Sequence, residues 1–241
     1  MLGERLLENP RALAEKIAQA LGGNAVERPG LIGFLNSRFD RFLNQLFATE
    51  SVAPRDAGAA LEGRPGFVWL VDEPSVEDLG ALRLLEMYGM TASTASPIEP
   101  GAPQGEIVEV RSRDDLDGWF AVYSEVFGAD PRAGAEWGRI HHALGPDGDG
   151  SLLLLLARVD GSPAATGAVF LLDGLAGLYC FTTRERLRGR GLGSALVHAC
   201  HASARARGIE HAVLQATGSG RPVYARAGYR EERSLPVLLS P

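Results

Sequence analysis

The sequence predicts an α/β (α+β) protein: a mixed, mostly antiparallel central sheet with flanking helices, preceded by a smaller N-terminal α/β half. Three observations carry this. Strand-like and helix-like stretches interleave along both halves of the 241 residues, the pattern of layered α/β architectures. Three apolar runs, residues 151–159, 164–172 and 175–183, are separated only by short turns at Asp160-Gly161 and Asp173-Gly174. Asp-Gly suits the positive φ of hairpin turns, so these runs read as an antiparallel meander. The third run leads into Arg188-Gly189-Arg190-Gly191-Leu192-Gly193-Ser194 and then an apolar helical stripe.

In order, residues 1–21 predict an amphipathic helix interrupted near Asn9-Pro10, with Leu13, Ile17, Ala20 and Leu21 on one face. Gly22-Gly23 ends it. Residues 31–47 suit a helix through Phe39, Phe42, Leu43, Leu46 and Phe47, but 39–47 also suits a strand. Residues 54–61 predict a short helix and 66–71 a strand stopped by Asp72-Glu73-Pro74. Ser75 and Asp78 have capping-box spacing and predict a helix to about Tyr88, closed by Gly89, before a strand at 90–93. Residues 94–105 carry Pro97, Pro100, Pro103, Gly101 and Gly105 and read as a linker. The expected division is therefore 1–105, an N-terminal α/β region, and 106–241, the domain that carries the chemistry.

The second unit opens with a strand at 107–110. Ser112 and Asp115 predict another capping box, and Leu116, Trp119, Phe120, Tyr123 and Phe127 give the following helix an aromatic face. Gly128 ends it, and Asp130-Pro131 opens a helix to about Leu144. After the meander and the glycine-rich turn, Leu192, Ala195, Leu196, Ala199, Cys200 and Ser203 share a helical face, with Gly208 beyond it. Residues 212–216 read as a strand, 222–227 as a short helix, and Tyr229 starts the last extended stretch.

Composition narrows the function. The net charge is −6, concentrated in residues 1–105, which hold 9 basic and 14 acidic side chains. No basic patch suggests nucleic-acid binding. Cys180 and Cys200 lie in apolar stretches and read as reduced, buried thiols rather than a disulfide framework. The N-terminus has no signal-peptide core and the run 152–156 is too short to span a bilayer. The expectation is a soluble, cytoplasmic protein without membrane or metal partners, its oligomeric state open. His141-His142, adjacent on a helix, point apart, and His198 and His201 fall off the apolar stripe and read as outward-facing.

The glycine-rich turn is the chemical centre. Glycines let the backbone approach a ligand, and the helix start at Leu192 aims unpaired N–H groups at the turn, an anion site. Arg188 and Arg190 add charge. The stretch does not match G-x-x-x-x-G-K-[ST], and a G-x-G-x-x-G frame fails because its last position is Ser194 or Leu196. It does match R/Q-x-x-G-x-G/A at every defined position. That segment resembles the acetyl-CoA pyrophosphate loop of the GNAT superfamily of N-acetyltransferases. A second segment, Pro222 to Tyr229, resembles the family's xxxYxxxGF/Y motif, with Tyr224 at its tyrosine. The element order of residues 106–241 also resembles the GNAT fold. The first half resembles a shortened, degenerate GNAT-like unit without a cofactor motif.

The resemblance implies acetyl-CoA as co-substrate, bound by the backbone of Phe181, Thr182 and Thr183 along the pantetheine arm and by Arg188, Gly189, Arg190, Gly191, Leu192, Gly193 and Ser194 at the pyrophosphate. It implies Tyr224 as the general acid that protonates the departing thiolate. An unperturbed tyrosine lies about 1.5 pKa units above a thiol, roughly 2 kcal/mol uphill; a place in the first turn of a short helix is expected to narrow that gap. Some family members carry a glutamate base early in the strand before the glycine loop, where this chain reads Leu175-Ala176-Gly177-Leu178. Glu125 is a speculative base, with a water relay as the alternative. The implied reaction is acetylation of an amine of a small molecule or a protein N-terminus. A CoA-binding sensor or scaffold is the competing class. The first half is expected to form one wall of the acceptor pocket, its negative charge favouring a cationic amine.

Overall fold

The computed structural model describes residues 5–75, 77, 79–95 and 105–240. The order is α1 (Glu8–Leu21), β1 (Asn24–Arg28), β2 (Leu31–Leu35), β3 (Asn44–Ala48), α2 (Pro54–Ala60), β4 (Gly66–Trp69), β5 (Arg83–Ser93), β6 (Glu106–Glu109), α3 (Arg113–Phe127), α4 (Gly134–Leu144), β7 (Leu152–Val159), β8 (Ser162–Leu172), β9 (Leu175–Thr183), α5 (Leu192–Arg205), β10 (His211–Thr217), α6 (Arg221–Arg226) and β11 (Arg230–Ser240). Short 3-10 turns occur at Arg41–Leu43, Pro131–Ala133 and Glu185–Leu187.

All the strands join one 11-stranded sheet, ordered β1-β2-β3-β4-β11-β5-β10-β9-β8-β7-β6. It is mostly antiparallel; β3 with β4 and β9 with β10 are the parallel pairs. The sheet runs across residue 105 without a break. β5, from the first half, pairs with β10 and β11 of the second. β11 in turn pairs with β4. Each half thus supplies backbone partners to the other.

Leu116, Trp119, Tyr123, Trp137 and Phe170 pack with Leu13 and Ile17, so α1, α3 and α4 cover one face of the meander. Leu192, Leu196, Val197 and Cys200 of α5 cover the other, against Leu153, Val169 and Leu214. α1 lies very close to β9. A Cβ on Gly177 would meet Asn9 Oδ1 at 1.8 Å, and the Tyr179 hydroxyl donates to the same Oδ1 at 2.6 Å.

The meander folds as its turns predict, with Asp160, Gly161, Asp173 and Gly174 all at positive φ. The Ser112–Asp115 capping box forms, and Gly128 closes α3 in the left-handed region. Several expectations are corrected. Pro10 does not interrupt α1: it sits in the first turn, where its missing N–H has no partner to lose. The region 39–47 divides into a 3-10 turn and β3. Residues 24–35 form a β1–β2 hairpin around Gly30, φ +73, which the sequence reading does not contain. The expected helix to Tyr88 is instead β5 from Arg83 onward. Its leucine spacing is helix-compatible, but two strand neighbours offer hydrogen bonds along its length, and tertiary pairing overrides local propensity. Asp78 of the expected capping box and most of the expected linker, residues 96–104, lie outside the described residues. Among the described residues no helix is long and apolar enough to cross a membrane, and no group of three or more His, Cys, Asp or Glu side chains is placed to hold a metal.

Candidate active site

The site begins where two strands part. β9 and β10 are parallel partners only from Leu175 with His211 to Leu178 with Leu214. Beyond that they diverge, and residues 179–183 of β9 face residues 215–217 of β10 across a cavity of about 550 Å³. A bulge in β9 helps to open it. Thr182 pairs with Thr166 and Tyr179 with Ala168, so Cys180 and Phe181 together oppose Gly167. Cys180 takes a left-handed φ of +56° to make that step. The Phe181 ring packs where a Cβ on Gly167 would be, 3.0 Å from its Cζ. It meets Tyr224 edge-on at 6.1 Å between centroids.

One end of the cavity is the glycine-rich turn. Gly189 and Gly191 have φ of +77° and +76°. The latter is the N-cap of the 14-residue α5 and offers no side-chain cap. The first helical bond to the turn is Ala195 N–H to Gly191 C=O. No N–H from 189 to 194 donates to a described protein group. Nothing lies within 4 Å of a Cβ built on Gly189 or Gly193. A run of free N–H donors at a helix N-terminus, with open space before them, fits a pyrophosphate. Arg188 and Gly193 line the cavity directly, and Arg188 Nε donates to Thr183 C=O at 3.3 Å.

The other end is built by the first half. α1 contributes Leu13, Ala14 and Ile17, the 3-10 turn Arg41 and Phe42, and the strands Gln45 and Trp69. None of these was singled out by sequence reasoning as a site residue, and no local signal marks them: they are brought to β9 by α1 packing and by sheet order. No carboxylate lines the cavity among the described residues. The expectation that acidic charge in the first half would greet a cationic amine is not carried by this wall, whose charged residue is Arg41.

The structure brings Phe181, Thr182, Thr183, Arg188, Gly193 and Tyr224 together on the cavity lining; Gly189, Arg190, Gly191, Leu192 and Ser194 complete the adjoining loop and helix start. Glu125 is elsewhere. Its Oε2 pairs with Arg184 Nε at 3.0 Å, its side chain is 54% exposed, and it does not line the cavity.

Tyr224 also departs from expectation in its electrostatics. Burial, with smaller effects of Cys200 and Cys180, pushes its phenol well above the ordinary value. The shift runs opposite to the narrowing expected from α6, which is only six residues long. His201 corrects another reading. It is fully buried, with Nε2 2.8 Å from the Tyr229 hydroxyl. Burial, followed by Arg205 and His198, lowers its pKa to about 4. Tyr229 packs edge-on to Tyr224 at 5.8 Å, so His201 stands behind the tyrosine pair.

Residues 101–222 match the family described as Acetyltransferase (GNAT) domain. A protein named Mycothiol acetyltransferase, from Clavibacter michiganensis subsp. michiganensis, is 29% identical over 187 residues, covering 72% of this chain; the match spans 61% of that relative's length. Two solved structures share the fold over nearly the whole chain. A GCN5-related N-acetyltransferase from Kribbella flavida has TM-score 0.61 at 21% identity, covering 96% of this chain and 95% of its own. A functionally unknown conserved protein from Staphylococcus epidermidis has TM-score 0.67 at 15% identity, covering 91% and 94%. The chain belongs to the GNAT family of acetyltransferases, for which acetyl-CoA is the acetyl donor.

Proposed function

We propose that the chain transfers the acetyl group of acetyl-CoA to the amine of a small molecule. The observation that supports this best is the cavity. It joins the free N–H groups of the glycine loop to a recess walled by both halves of the chain. A recess of this volume suits a small acceptor better than a folded protein's N-terminus. The acetyl donor supplies a thioester carbonyl, which the amine attacks as the C–S bond breaks.

The chain's own contributions follow from position. Backbone N–H groups 189–194 take the pyrophosphate. The side of β9 that β10 leaves beyond Leu178 offers backbone groups to an extended pantetheine arm and to the developing oxyanion. The apolar walls exclude water, and with no carboxylate among them an ammonium is disfavoured, so the acceptor is held as neutral amine. The nitrogen still sheds one proton after attack, and a water relay carries it out, since Glu125 does not line the cavity. Tyr224 is the proton donor to the departing sulfur. Its raised pKa does not disqualify it, because a thiolate leaving into the same dry cavity is destabilised in the same direction. The first half, lacking a glycine loop, serves as acceptor wall and takes no cofactor.

The test is release of free CoA thiol across a panel of small amines, including mycothiol-related amines in view of the relative's name. Turnover of one or more amines, with cognate N-acetyl product, is the expected result. Saturable acetyl-CoA binding with no thiol release from any amine would leave a CoA sensor as the better reading.

A further inference from the structure

We propose that the acceptor amine carries a carboxylate, which Arg41 binds at the end of the cavity remote from the glycine loop. This rests on the acetyl-transfer reading and names its substrate class. The first half gives the cavity three side chains with polar atoms: Arg41, Gln45 and Trp69. Two are satisfied by the protein. Trp69 Nε1 donates to Gln45 Oε1 at 2.6 Å, and Gln45 Nε2 donates to Phe42 C=O at 2.8 Å. Arg41 differs. Among the described residues its guanidinium makes neither a hydrogen bond nor an ion pair within 4.0 Å.

Its sequence neighbour does not account for it. Asp40 is buried, and its carboxylate accepts from Trp137 Nε1 at 2.8 Å, the Tyr123 hydroxyl at 3.0 Å and Phe42 N–H at 3.0 Å. Those bonds turn the Asp40 carboxylate to α3, α4 and its own turn; the charge of Arg41 acts on it as the smallest of the influences on its pKa, and no ion pair forms between the two. Among the described residues no other charged residue of the first half lines the recess. The second cation on the lining, Arg188, is held to the glycine loop through Thr183.

Arg41 is half-buried beside apolar walls, and its planar fork matches a carboxylate with two parallel bonds. A phosphate monoester carries a second charge, and this wall offers a single cation to meet it. The glycine loop opens α5 on one face of the sheet and α1 packs on the other, so the opening between β9 and β10 separates the loop from the first-half lining. An acceptor with a carboxylate beside its amine, as in an apolar amino acid, would offer that carboxylate to Arg41 and its side chain to the apolar lining.

The experiment compares matched pairs, L-phenylalanine with L-phenylalaninamide and L-methionine with L-methioninamide, by thiol release with wild type and Arg41→Gln. A parallel arm measures thermal shifts by N-acetyl-L-phenylalanine and its carboxamide in the presence of CoA, which reads the site without turnover. The wild type should prefer the carboxylate member about ten-fold or more, and Arg41→Gln should bring the ratio close to one. Arg41→Lys should retain part of the preference. The shift by acetyl-CoA alone reports that each variant is folded. Equal treatment of acid and amide in both arms, or a preference that survives Arg41→Gln, overturns the proposal. A carboxylate-dependent shift lost in Arg41→Gln, without thiol release from any amine, would uphold the anion site while defeating the acetyl-transfer reading.

Discussion

Tyr224 sits where α6, Phe181 and Tyr229 converge on the cavity. Tyr224→Phe removes only the hydroxyl, so kcat should fall by about 10²–10⁴ with acetyl-CoA affinity nearly intact. Single-turnover kinetics beside a binding isotherm checks this; an unchanged kcat would remove Tyr224 from the role. His201 makes a different prediction. Its folded pKa of about 4 lies below the ordinary histidine value of 6.5. Below 6.5 the unfolded chain takes up a proton that the folded chain refuses. This histidine's contribution is therefore complete above that pH and is lost as pH falls through 4, by roughly 3 kcal/mol in all. Melting temperature measured from pH 7.5 to 4.5 should decline more steeply in wild type than in His201→Gln. Parallel curves would mean that His201 is not buried neutral. Its burial was not legible from the apolar stripe, because the helical pattern locates a face but not that Tyr229 packs against it.

The glycine loop and α5 formed as an element for reasons local to the sequence. Positive-φ glycines and an uncapped helix start are what those seven residues favour. Gly193 provides a selective probe. It is helical, a Cβ there meets nothing within 4 Å, and an acidic side chain in the first turn suits the helix dipole. Gly193→Asp should leave the unliganded melting temperature within about 1 °C or raise it, yet abolish the acetyl-CoA shift, because its carboxylate repels the pyrophosphate. A normal shift would move the anion site elsewhere. β5 stands in contrast. Leu82, Leu85 and the Ser75 cap gave it helical credentials, and only the two strands beside it made an extended chain the better solution.

Across the whole molecule, the exchange of strands decides what can stand alone. A fragment of residues 106–241 would lack β5, which lies between β10 and β11, and α1, which lies on β9. It would expose unpaired strand edges and apolar faces, and should be insoluble or bind acetyl-CoA far more weakly than the full chain. A stable fragment with full activity would deny the first half any part in the site. Calorimetry on the full chain should find one acetyl-CoA per chain, since the described first half has no counterpart of the glycine loop; a second equivalent would contradict its role as a wall.

The meander, the capping box of α3, the glycine loop and the tyrosine motif were readable from the chain because each is specified within a few consecutive residues. Turn chemistry, capping and positive φ are local energies, and they fix each of these elements; that the loop, Phe181 and Tyr224 share a neighbourhood was implied by the resemblance and is brought about by the pairing of β9 with β10. Which residues of the first half line the cavity was not readable. Arg41, Gln45 and Trp69 reach β9 through packing over more than a hundred residues of sequence. The absence of a carboxylate from the lining, the raised pKa of Tyr224 and the neutral His201 are likewise consequences of burial. Burial and strand partnership depend on what the rest of the chain brings alongside, and that was decided only by the tertiary structure.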